Sequence, residues 1–184
     1  MRSILICTVL FILVLLPGAG QSPGDGHVQA NAYVNPFFHY SYAWPAFLQP
    51  VPTPSLSLPH QASPNEFLLF TARQGTEPFG IILAAEKLHV PTQHDPVGLK
   101  NGQDFLDRVL RVPDPSRRKV LTRTHMQGSN GLNYDKLDYL DYNQFTSAIA
   151  TQVGQYLLVF RCNAKSRSDL DAMTKSVLAS RRLN

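Results

Sequence analysis

Apolar residues fall along this chain in three successive textures. Ile4 to Leu16 is an apolar run, with Thr8 its one polar residue, behind Met1-Arg2. Residues 21 to 65 interleave aromatics with proline and carry almost no charge. From Glu66 onward, short apolar runs alternate with Gly, Pro and charged clusters, which is the texture of a folded domain. Phe67-Leu68-Leu69-Phe70 predicts a strand that turns at Arg73-Gln74-Gly75, and Phe79 to Ala85, after Pro78, predicts a second. Pro91, Pro96 and Gly98 mark a loop. Asn101 is then the expected N-cap of a helix, with Asp104 in its first turn. Phe105, Leu106, Val109 and Leu110 share one face, and Pro113 and Pro115 stop it.

Lys119 to Met126 alternates apolar and polar positions, as a half-exposed strand does. After the turn at Gln127-Gly128-Ser129-Asn130-Gly131, Leu137, Leu140, Ile149 and Val153, with Phe145, predict a helix between Asp135 and Val153. Tyr156-Leu157-Leu158-Val159-Phe160 is the strongest strand signal in the chain. Ser168 is the expected cap of a last helix with Leu170, Met173, Val177 and Leu178 inside. Asp169 and Asp171 suit its amino end, and Arg181 and Arg182 its carboxyl end. The order β-β-α-β-α-β-α predicts an α+β fold: a single compact domain of about four strands and three helices over residues 66–184. Such a domain is large enough to bury its own core and is expected to fold alone.

The amino-terminal run has the charged start, apolar centre and small-residue end (Pro17, Gly18-Ala19-Gly20) of a secretory signal peptide, residues 1–20. It is too short for a bilayer core that needs roughly twenty residues. The expected product starts at Gln21, is secreted and extracellular, and has no transmembrane segment.

Residues 21–65 hold eight of the fourteen prolines, no Lys or Arg, and one acid, Asp25. Residues 49–64 are expected to be polyproline II or extended linker. The aromatics before them have two uses: packing back onto the domain, or forming an exposed contact patch from Phe37, Phe38, Tyr40, Tyr42 and Trp44.

Charge changes the picture little. Lys+Arg outnumber Asp+Glu by 17 to 13, and losing Arg2 with the leader leaves 16 to 13. That excess suits weak anion affinity or an ordinary surface, and no nucleic-acid partner is expected. Cysteine changes it more. Cys7 leaves with the leader, so Cys162 has no intramolecular partner and the fold must rest on its apolar core. Cys162 is then a buried thiol or the link of a disulfide-bonded dimer.

Candidate chemistry is sparse. Asp135, Asp138 and Asp141 recur every three residues but lack the EF-hand pattern, so a solvated acidic helix face is expected. His89, His94 and Asp95 lie close in sequence without a metal-ligand motif, no G-x-S-x-G elbow surrounds Ser129, and neither metal nor cofactor is expected. Arg117-Arg118-Lys119 is a tribasic run suited to proteolytic processing or anion contact. The functional expectation is a secreted non-catalytic protein that associates with other extracellular macromolecules or matrix components. The alternatives are a signalling precursor cut at the tribasic run, and a small hydrolase built on His89, His94 and Asp95.

Overall fold

The computed structural model describes residues 21–52, 65–91, 98–111, 114 and 117–183. The expected signal peptide, most of the proline-rich stretch, His94, Asp95, Pro113 and Pro115 lie outside them.

The fold expectation needs correction. Eleven strands and two helices are present among the described residues, where about four strands and three helices were expected. A seven-stranded antiparallel sheet runs in the order β4 (Gln49–Pro50), β5 (Glu66–Arg73), β6 (Gly80–Lys87), β10 (Tyr156–Ala164), β9 (Gln144–Val153), β8 (Asn133–Asp141) and β7 (Arg118–Gln127). A second sheet has the order β1 (His27–Gln29), β2 (Ala32–Asn35), β3 (Tyr40–Ala43) and β11 (Arg181–Arg182). The helices are α1 (Gly102–Leu110) and α2 (Arg167–Leu178).

Side chains of consecutive residues leave a strand on opposite faces, and the large sheet is covered on both. On one face, Leu99, Phe105, Leu106 and Val109 pack over Leu137, Tyr139, Leu157 and Val159. On the other, α2 and the small sheet bury Ile81, Leu83, Leu158, Phe160 and Cys162. Double coverage explains the largest misreading, the helix expected between Asp135 and Val153. That segment is the hairpin β8–β9, closed by the two residues Tyr142-Asn143, with Tyr142 at φ 56°. A strand buried on both faces loses its polar alternation. Thr146 to Thr151 is buried at every position, and its small polar residues are satisfied by Asn163, Asp138 and the Asn133 carbonyl.

The two true helices follow their caps. Asn101 accepts from the Asp104 amide as expected. The last helix is capped by Ser166 rather than Ser168, and Arg181 and Arg182 pair with Ser41 and Tyr40 as a strand.

Residues 21–52 are woven into the fold. In β2 and β3 the inward positions are Tyr33, Asn35, Tyr40 and Tyr42, all buried. Tyr42 lies 5.4 Å from the Phe160 ring, Trp44 stacks on Phe70 at 4.8 Å, and Phe37 and Phe38 meet Tyr156 edge-on. The Asn35 amide donates to the Pro23 carbonyl and the Tyr33 hydroxyl, and its oxygen accepts from the Phe38 amide. A buried polar side chain with every bond made fixes the turn between β2 and β3. Gln49–Pro50, expected as linker, pairs with β5 at the sheet edge, where proline is tolerated.

Cys162 is free and fully buried on β10. Burial first, then the charge of Asp138, push its thiol up to about 12. A thiol so enclosed cannot reach a second chain without opening the core, so of the two readings of Cys162 the burial supports the buried thiol over the disulfide-linked dimer. Cys162 in the native protein is therefore expected to resist a thiol reagent at neutral pH and to react at once in denaturant. Fast native labelling, read by mass shift, would contradict this packing.

Candidate functional site

The carboxyl end of α1, the start of β7 and the middle of β10 meet at one corner of the large sheet. α1 packs on β8 and β9, and its carboxyl end places Arg108, in the last turn, and Arg111, the C-cap, three residues apart. Arg118 stands on β7 opposite Asp141, and Arg161 leaves β10 opposite Ala148. These four arginines, with Val109 and Tyr139, line a cavity of about 160 Å³.

Aromatic rings back three of the guanidiniums. Arg108 and Arg161 lie over the buried Phe105 ring at 5.5 and 5.9 Å, and Arg118 lies over Tyr139 at 5.1 Å. Guanidinium stacking of this kind orients the fork while leaving its edges free to donate.

The four are not equivalent. Arg108 makes a bidentate pair with the buried carboxylate of Glu86, one arm at 2.6 Å. Arg118 donates to the Val109 carbonyl and lies 3.4 Å from Asp141, which Arg117 holds more closely at 2.5 Å. Among the described residues, Arg111 and Arg161 pair with no carboxylate, and both are exposed. Burial raises the Tyr139 phenol above its ordinary value, the charges of Arg118 and Arg161 pull against this, and it remains a neutral hydroxyl. In Arg111 and Arg161 the corner therefore offers forked cationic donors with no matching carboxylate among the described residues, which is chemistry for binding an oxyanion.

Of the sequence candidates, Arg118 lines this cavity and Arg117 sits beside it, its guanidinium 4.9 Å over Tyr142. Lys119 is exposed, opposite Leu140 on the other face of the sheet. As a processing site the run is awkward, since Arg118 and Lys119 are already paired in β7. Arg108, Arg111 and Arg161 were missed. The i,i+3 spacing on α1 is the one local signal for the first two, and nothing in the sequence joins them to Arg161. Of the two uses open to the aromatic segment, packing or a contact patch, Phe38, Tyr40 and Tyr42 are buried in the core and Phe37 and Trp44 pack half-buried against it.

The three regularly spaced aspartates do not converge, because on a strand three residues apart means opposite faces. Asp135 accepts from Gln103 and lies 2.9 Å from His125. Asp141 takes the arginines, and Asp138 is fully buried among Thr122, Lys136, Ser147 and Arg167. Burial raises the Asp138 carboxyl, but hydrogen bonds from Lys136 and Ser147 and the charges of Lys136 and Arg167 outweigh it. Its pKa ends below the ordinary value.

A separate polar groove of about 320 Å³ contains the His125–Asp135 pair at the start of α1. The rest of its described lining is Asn101, Gly102, Gly131, Leu132, Asn133, Ala150 and Gln152, none of which carries a hydroxyl or thiol. His89, the described member of the other histidine candidate, places Nδ1 2.9 Å from the Lys87 carbonyl.

No known protein family matches the sequence, and neither does any curated protein. Among solved structures, the fold is similar to the solution structure of cyanobacterial PsbP (CyanoP) from Synechocystis sp. PCC 6803. The TM-score is 0.52 at 18% identity, over 86% of this chain and 96% of that one.

Proposed function

We propose that this is an exported, non-catalytic association protein whose contact face is the arginine corner formed by α1, β7 and β10. The observation that carries the reading is the convergence of four arginines from three elements on one cavity, two of them lacking a carboxylate partner among the described residues. Export is the expectation drawn from the leader, and the anion-contact reading of Arg117 and Arg118 is extended here to their spatial neighbours. A matrix setting rested on an exposed aromatic arm, and with those rings buried it loses that support.

The long edge strand β7 suits a face that meets an anion rather than a second copy. Its side chains include Arg118, Lys119, Arg123 and His125 and no acid, and its register shifts between Val120 and Thr122. Charge and irregularity of this kind discourage edge-to-edge pairing between like strands.

The test uses two double variants of equal net charge on an immobilised sulfated polysaccharide. R111Q/R161Q removes the unpaired guanidiniums, whereas R181Q/R182Q removes two exposed arginines from β11. R111Q/R161Q is expected to elute at clearly lower salt than wild type, and R181Q/R182Q close to it. Equal shifts for both would show that only net charge matters, and would remove the arginine corner as a contact face.

A further inference from the structure

We propose that the cavity between α1, β7 and β10 is a subsite for one tetrahedral oxyanion, a phosphate or sulfate group carried by the partner. The inference rests on the contact-face reading above and names its ligand chemistry. Charge comes first. Four guanidiniums line the cavity, and among the described residues the carboxylates that touch them are Glu86, through Arg108, and Asp141, through Arg118. Among the described residues this leaves the guanidiniums in excess of the carboxylates by two charges, and Arg117, which shares Asp141, raises the excess further. A dianion neutralises that excess, whereas a single carboxylate leaves part of it.

Geometry points the same way. A carboxylate is planar and is satisfied by one fork in its own plane. Here the donors come from three separate elements, a helix end and two strands, rather than from one fork, which suits the several oxygens of a tetrahedral group. Arg108 and Arg118 are held in place by Glu86, Asp141 and the Val109 carbonyl, so they are oriented before any ligand arrives. Arg111 and Arg161 supply the uncommitted donors. Pre-set forks lose less side-chain entropy on binding than free ones.

The end of α1 would ordinarily repel an anion, because its last carbonyls are unsatisfied and negative. Two of them are occupied: Arg118 donates to Val109, and the Arg111 amide donates to Arg108. The helix end is thereby converted from a repelling surface into part of the wall.

The experiment follows the arginine Nε–H signals of the chain from Gln21 by NMR while inorganic phosphate or sulfate is titrated at constant ionic strength. Chloride and acetate serve as matched controls. Phosphate and sulfate are expected to move the Arg111 and Arg161 signals saturably, and chloride and acetate are not. R111Q and R161Q each weaken the phosphate titration about tenfold, the factor for losing one charge-assisted hydrogen bond. R123Q leaves it unchanged, because Arg123 is held by Asp107 and Gln103 outside the cavity. Equal saturation by acetate, or a phosphate response indifferent to R111Q and R161Q, overturns the oxyanion subsite. If column retention still depends on Arg111 and Arg161 while phosphate shows no saturation, the contact face stands and the subsite falls. If both are lost, both fall.

Discussion

A fragment of residues 66–184, without the amino-terminal strands, is expected not to fold, whereas the chain from Gln21 melts in one sharp transition. The reason is the location of four rings. Tyr33, Phe38, Tyr40 and Tyr42 are each at most 5% exposed, and they close the face of the large sheet that carries Phe70, Tyr156 and Phe160. Truncating one buried aromatic to alanine costs about 3–5 kcal/mol, and a whole domain is stable by only about 5–15 kcal/mol. Removing all four, with the β3–β11 and β4–β5 pairings, exceeds any plausible reserve. Within the intact chain, Tyr42→Ala alone is expected to cost about 3–5 kcal/mol, because it also strips the hydrogen bond to Ser176. Ala43→Ser, on the exposed side of the same strand, is expected to fall within about 0.5 kcal/mol of wild type. Chemical denaturation of both variants and circular dichroism of the fragment check this. A cooperative transition for residues 66–184 would restore the independent domain expected from the proline pattern.

Asp138→Ala is expected to be similarly damaging, at about 3–5 kcal/mol, because it strands the buried Lys136 ammonium without its partner. The same carboxylate sets an acid limit. Its folded-state pKa is depressed below that of the unfolded chain, so its contribution is complete above roughly pH 4, the ordinary carboxyl value. It is lost as pH falls through the lower folded value, since the unfolded state then binds the proton more readily. Denaturation midpoints measured from pH 6 down to pH 2 should fall for wild type, and fall by less for D138N, which has no such proton to take up. Parallel curves for the two proteins would remove Asp138 from the acid transition.

Local signals in the sequence were legible wherever one residue controls one geometry. Asn101 and Asp104 placed α1, and Tyr156 to Phe160 placed the central strand, because capping and dense β-branched or apolar runs act over a few residues. The hairpin β8–β9 was not legible. Its apolar residues recur at three- and four-residue steps by coincidence, and its true two-residue period is masked by burial on both faces. The aromatic arm was half legible. Its composition showed that the rings must be buried somewhere or exposed for contact, but not which, because their partners Phe70, Tyr156 and Phe160 lie far along the chain.

The candidate site was the least legible part. Arg117-Arg118-Lys119 drew notice as a run, yet Arg118 alone of the three enters the cavity, and its companions come from α1 and β10. By itself, the sequence determined the N-cap of α1 and the strongest strands, and raised the expectation of a leader and of a core that does not rest on disulfides, since each follows from composition or from neighbours a few residues apart. Only the tertiary structure decided that residues 21–50 complete the core, that Cys162 is enclosed, and that Arg108, Arg111, Arg118 and Arg161 share one cavity. Those outcomes depend on strand order and register across the large sheet, which bring together residues whose separation along the chain leaves no periodic trace.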